Sequence, residues 1–230
     1  MLKSQSIFTH EDFKQLVNYD LNGTYNDVRI LVVNPNTTFF PSVLFDKSLI
    51  RESFGFNHPY NNVEEQLHFD SLKKHGAENI FKISNLLREL MGSYFPKYRL
   101  MHYSSPLIEG FAQANEENEK FGVFVHEGFM HIIYIHGHRL QFVNSFEFET
   151  HEDLLYYVLA CCDQLDLNPK AQPILLFGDC ARFGELLELL RKYFMHADLG
   201  HRPDSFNLAP VFDELPPHLY FHLFSAPLCE

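Results

Sequence analysis

Three strand-like runs, Gly122 to His126, Phe129 to Ile135 and Arg139 to Phe146, are read as turning at Glu127-Gly128 and His136-Gly137. Two-residue connections ending in glycine, set between alternating apolar runs, are the strongest short hairpin signal, so this stretch predicts a three-stranded antiparallel meander. Thr150 with Asp153 three residues later reads as a capping-box variant. It opens a helix whose buried stripe is Leu154, Leu155, Val158, Leu159, Cys162 and Leu165, ended by Asn168-Pro169. Pro173 to Phe177 is a short continuous apolar run of the kind buried on both faces of a sheet. A further helix is expected from about Arg182 to His196, with Phe183, Leu186, Leu187, Leu190 and Phe194 inward.

A meander feeding a parallel strand through a helix gives a mixed five-stranded sheet with helices on both faces, the ribonuclease-H-like arrangement. The first half alternates in a related way. Val28 to Val33, the turn Asn34-Pro35-Asn36 and Thr37 to Phe40 read as a hairpin, and Pro41 as the first residue of a helix through Phe54. Two strands, Leu67 to Lys73 and Asn79 to Ile83, are joined around His75-Gly76. Ser84 then opens a helix with Leu86, Leu87, Leu90 and Met91 on one face. Lys97 to Tyr103 reads as a strand, and Ser105-Pro106 as the start of the next helix. A weak helix is expected from His10 to Leu21, and the acidic stretch Glu116 to Glu119 reads as a linker. The expected organisation is α/β with mixed sheets, in two ribonuclease-H-like subdomains spanning residues 1–117 and 118–230.

Charge narrows the partners. Lys and Arg number 18 against 30 Asp and Glu, a formal −12, which sets a repulsive mean field against a phosphate backbone and excludes nucleic acid as the expected partner. No run approaches the length of a membrane span, and MLKSQSIFTHEDFK lacks a secretory signal core, so a cytosolic protein is expected. The four cysteines follow no metal-binding spacing and read as reduced thiols.

The stretch NSFEFETHEDLLYYVLACCDQLDLNP, residues 144–169, resembles an uncharacterised bacterial family of Bacteroidota type whose members have an actin-like ATPase fold, two ribonuclease-H-like subdomains facing a cleft. TTFFPSVLFDKSLIRESFGFN resembles the first-half strand and helix of that family, and LPPHLYFHLFSAPLCE its C-terminal helix. The resemblance implies a further hairpin ahead of residue 1, the first phosphate-binding hairpin of an actin-like fold, so the first subdomain is expected to be incomplete.

Actin-like ATPases wrap phosphates between two Asp-x-Gly hairpin turns. By resemblance the second turn here is His126-Glu127-Gly128-Phe129-Met130-His131, with His126 standing where Asp is expected. The nucleoside turn is Phe177-Gly178-Asp179-Cys180-Ala181, where Asp179 reads as a helix cap. His126, Gly128, Gly178 and Asp179 are therefore the candidate residues of a degenerate nucleotide cleft. No GxxxxGK[ST] or GxGxxG motif is present.

Other chemistry finds less support. If both connections are two-residue hairpins, His126 faces Phe129 and His131 faces Phe124. The two imidazoles are then diagonal neighbours on one side of the sheet, with His138 opposite Ile135 and no third ligand at fixed spacing. Glu147, Glu149, Glu152 and Asp153 flank a strand end and a helix cap, not the sheet centre where ribonuclease-H-type acids hold metal. Cys180, at a strand-to-helix turn, is placed as a nucleophile would be, but the adjacent Asp179 opposes a thiolate. The expectation is an interaction or assembly module with no cofactor and an unidentified protein partner or a second copy as its ligand. The alternative is an ATP-binding protein that contacts Mg-ATP through Gly128, Gly178 and His126 or His131.

Overall fold

The computed structural model describes residues 14–15, 25–113, 118–178, 183–203 and 208–229. In the first half, β1 (Arg29–Val32) pairs in parallel with β5 (Arg99–His102). β2 (Thr37–Pro41), β3 (Glu65–Leu72) and β4 (Ala77–Ser84) form an antiparallel sheet in the order β2-β4-β3. The helices of this half are α1 (Ile50–Gly55), α2 (Asn85–Tyr94) and α3 (Ser104–Gln113).

Residues 28–40 do not form the expected hairpin. The turn is there, with Asn34 Oδ1 accepting the Asn36 N–H, but it sends β2 into a different sheet from β1. Local turn chemistry fixes the reversal, while the strand partners are chosen by which apolar faces can be buried together. Pro41 is likewise the last residue of β2 and not a helix start. It lies opposite Ala77 on an edge strand, where a missing N–H costs nothing, and two short 310 turns precede α1. The β3–β4 connection turns at His75-Gly76 as expected, with Gly76 at φ +68. Ser84 caps α2 through Leu87 N, yet only Met91 of the expected stripe is buried and Leu86 is 72% exposed. The expected helix from His10 to Leu21 lies largely outside the described residues, although 14 and 15 are helical.

The second half follows its sequence closely. β6 (Glu119–His126), β7 (Phe129–His136) and β8 (Arg139–Glu147) form the meander. α4 (His151–Gln164) leads to β9 (Ile174–Gly178), and α5 (Phe183–Arg191) to β10 (Ala197–Leu199). The sheet order β10-β9-β6-β7-β8, with β9 parallel to β6 and β10 parallel to β9, is the ribonuclease-H-like topology. Thr150 and Asp153 form the reciprocal capping box. The second hairpin turn is Gly137-His138, not His136-Gly137: His136 pairs with Arg139, and a register shift after Tyr134 absorbs Gln141. Gly137 takes φ +61, which suits the first position of such a turn and places His138 at its tip.

Alternation on β6 divides the core. Phe121, Val123 and Val125 pack with Leu154, Val158, Leu186 and Leu190 beneath α4 and α5. Phe124 faces the other way, onto Leu107, Ile108 and Phe111 of α3, Phe177, and Phe221 of α6 (Phe221–Ser225). A Cβ at Gly122 would lie 2.7 Å from the Phe111 ring, so glycine here lets α3 seat against the sheet. The helix contributed by the first half thus covers the sheet of the second. Among the described residues, no helix is long and apolar enough to cross a membrane.

Candidate functional site: a histidine and tyrosine cluster behind the Gly128 turn

Glu127-Gly128 joins β6 to β7 as a tight turn, and Gly128, at φ +83, supplies a backbone conformation that L residues seldom adopt. Behind it, His126 pairs with Phe129 and His131 with Phe124, as the hairpin geometry requires. Their rings do share one side of the sheet, and the space between them is filled by Tyr103. The Tyr103 ring meets His126 at 4.8 Å edge-on and His131 at 5.0 Å, and its hydroxyl lies 3.0 Å from His131 Nδ1. Ser145 Oγ is 3.1 Å from the same nitrogen. His222 of α6 closes the group, 5.6 Å from His126 and 5.9 Å from Tyr103.

His102, at the end of β5, stacks 6.2 Å from His131. Its Nδ1 is 2.6 Å from Ser104 Oγ and its Nε2 3.0 Å from the Asn34 carbonyl. A polar network continues from it: Asn79 Nδ2 donates to Ser104 Oγ and Ser105 Oγ, and Ser105 Oγ donates to Asp70 Oδ2. Every histidine of the cluster is held neutral. Burial lowers His102 to about 3, and burial with the neighbouring His222 lowers His126 to about 4. Burial lowers His222 to about 4 and takes His131 well below the usual imidazole value. Burial also raises Asp70 to about 7 and drives the Tyr103 hydroxyl well above its ordinary value.

This chemistry is a poor match for a polyphosphate, which is held by cations and by backbone N–H groups free to donate. The imidazoles are uncharged, and His131 is fully buried and committed to Tyr103 and Ser145. Gly178, at φ +89, sits so close to β6 that a Cβ would lie 2.0 Å from Val125 O. Its N–H donates to the His218 carbonyl at 2.9 Å, and the His218 ring lies parallel to Phe183 at 5.1 Å between centroids. The chain's own C-terminal segment therefore takes the amide at the turn expected to meet a nucleoside. Asp179 and Cys180 lie outside the described residues.

Sequence reasoning singled out His126, His131, Gly128 and Gly178 but missed His102, Tyr103 and His222. The only local signal for them was a His-Tyr pair closing an apolar strand just before a helix start. Three segments far apart in the chain meet here, and only the seating of α3 and α6 on the second sheet brings them together. Of the acidic residues near the third strand, Asp153 is spent on the capping box, and Glu147 ends β8 opposite Phe129. Among the described residues, no group of three or more His, Cys, Asp or Glu side chains is arranged to hold a metal ion.

Comparison with known proteins agrees with the topology. A crystal structure from Bacteroides thetaiotaomicron, described as a protein with actin-like ATPase fold and unknown function, is 23% identical. It superposes with a TM-score of 0.82 over 96% of this chain and 81% of that one. A chain of the PilM-PilN type IV pilus biogenesis complex is 13% identical and aligns with a TM-score of 0.53 over 96% of this chain and 84% of that one. No curated protein matches. The mixed five-stranded sheet, the helices that cover it and these likenesses all describe an actin-like ATPase fold. A match over residues 4–197 places the chain in the family described as Protein of unknown function (DUF3822).

Proposed function

We propose that the protein is a cytosolic binding or assembly module that keeps an actin-like scaffold without ATP hydrolysis. The observation that carries this reading is the occupation of the nucleotide turns by the chain itself: His218 takes the Gly178 amide, and Tyr103 with neutral His126, His131 and His222 fills the space behind Gly128. Catalysis of phosphoryl transfer rests on positioned cations and donors, which these groups do not supply. A role in protein interaction is supported by apolar side chains left in solvent on the first half: Val43 is 92% exposed, Phe56 85% and Val63 79%. A structurally similar chain belongs to the PilM-PilN type IV pilus biogenesis complex, which favours a protein ligand.

The reading is tested by melting the purified chain with and without millimolar Mg-ATP while assaying phosphate release. Neither a rise in Tm nor release of phosphate is expected. A nucleotide at about 100 times its Kd would stabilise the fold by about 2.7 kcal/mol, so a clear Tm rise would replace this reading with that of an ATP-binding protein.

A further inference from the structure

A cavity of about 420 Å³ opens where the two halves meet, lined by residues 37–39 of β2, residues 143–145 of β8, and Asn57 and His58 just beyond α1. Both strands are edges: β2 ends the order β2-β4-β3, and β8 ends the order β10-β9-β6-β7-β8. Register tells which way their main-chain groups point. Ser42 N–H donates to the Gly76 carbonyl at 3.0 Å, so residues 38 and 40 face β4 and Phe39 turns its N–H and C=O to the open side. Phe148 N–H donates to the Gly128 carbonyl at 3.1 Å, so residues 142, 144 and 146 face β7 and Val143 turns its own pair outward. The Phe39 and Val143 side chains pack on the core that Phe124 forms with α3, which holds the two edges over one support.

Edge strands are normally blunted by charge, proline or a bulge, because their bare amides template pairing with another chain. Here those devices stand outside the cavity. Pro41 closes β2, and the register shift at Gln141 precedes the lined stretch of β8. Within the cavity, His58 Nε2 donates to the Thr37 carbonyl at 3.0 Å and the Ser145 N–H donates to Asn144 Oδ1 at 2.9 Å. The Phe39 and Val143 N–H and C=O groups have no hydrogen-bond partner among the described residues. No lining residue is Lys, Arg, Asp or Glu, so a charged group entering would lose hydration without meeting a counter-charge. An extended peptide turns N–H and C=O groups to both of its sides, which is what two facing strand edges ask for and what a small polyol or an ion does not offer.

We infer that this groove is a docking site for an extended, uncharged segment of a partner protein, which adds as a strand to β8 at Val143 and meets Phe39 of β2 on its other side. Main-chain pairing supplies the affinity, and the hydroxyl and amide side chains of the lining select Ser, Thr, Asn and Gly over charged residues. The inference rests on the assembly reading and gives it a place and a partner chemistry.

The test uses the full chain and a library of end-blocked hexapeptides built from Gly, Ser, Thr, Asn and Val, read by fluorescence polarisation. A bound member should lose about tenfold in affinity when its alternate amides are N-methylated, and again when a central residue is replaced by Lys or Glu. Val143→Pro removes the outward N–H while sparing the ladder to β7, and should weaken binding by about tenfold. Because proline could disturb β8, Asn144→Lys on an exposed side chain is measured beside it and should weaken binding with Tm unchanged. No binding by any member, equal binding of the N-methylated peptide, or binding undiminished in both variants would overturn the assignment. So would a Tm rise with glucose in place of peptide binding, or a dimer in sedimentation that Val143→Pro returns to monomer, which would give the groove to a polyol or to a second copy. None of these results touches the assembly reading, which fails on a Tm rise or phosphate release with Mg-ATP.

Discussion

Acidification should unfold this protein well above the pH at which carboxylates normally protonate. In the native state His102, His126, His131 and His222 stay neutral because burial lowers them, two to about 4 and one to about 3. In the unfolded chain each titrates near 6.5. The stability held by such lowered groups is fully present above 6.5 and is lost as pH falls toward their folded values. Asp70, raised to about 7, works in the opposite sense: native Asp70 is protonated between about 4 and 7 while the unfolded carboxyl is ionised, so it favours the folded state as pH falls. Near pH 5 the unfolded state binds four more protons through the histidines and one fewer through Asp70. The net of three gives a slope of about 4 kcal/mol per pH unit. Averaged over partial titration, about 3–4 kcal/mol should disappear between pH 6 and pH 5, a large share of the roughly 5–15 kcal/mol that holds a domain together. The assay is guanidinium unfolding followed by circular dichroism at several pH values, on the native chain and on His222→Gln. The variant should lose about a quarter of the histidine contribution to the slope. A change below about 1 kcal/mol over that unit would refute the neutral buried cluster, as would identical slopes in the two proteins.

Two further outcomes follow from packing. Leu154, fully buried beneath the second sheet, should cost about 2–5 kcal/mol when replaced by Ala, whereas Leu86→Ala on the exposed face of α2 should change stability by under about 0.5 kcal/mol; chemical denaturation of both reads the contrast. Gly178→Ala meets both a positive φ and the Val125 carbonyl, so a loss of at least about 1–3 kcal/mol is expected, and a Tm equal to that of the native chain would contradict the close approach of β9 to β6.

The second half was legible because its signals are local and consistent. Gly128, the Thr150 and Asp153 cap and the apolar stripe of α4 each follow from spacing within a few residues, and together they leave one economical topology. The first half was less legible where pairing is long-range. Asn34 and Pro35 announced a turn but held no information about which strand β1 would join, and β5 lies some seventy residues further on. Pro41 read as a helix start because proline suits that position, yet it is equally at home at the end of an edge strand, and pairing with the neighbouring β4 placed it there.

The amino-acid sequence alone determined the ribonuclease-H-like order of the second half, the turn at Gly128 and a mean charge hostile to nucleic acid. Those depend on backbone preference, periodicity and summed charge, which act over short distances or over the whole chain at once. Only the tertiary structure decided what stands at the candidate site. The neutrality of His126 and His131, the insertion of Tyr103 between them, and the capture of the Gly178 amide by His218 all arise from burial and from contacts between segments remote in sequence. Desolvation and close packing are properties of the folded arrangement, and no single stretch of the chain encodes them.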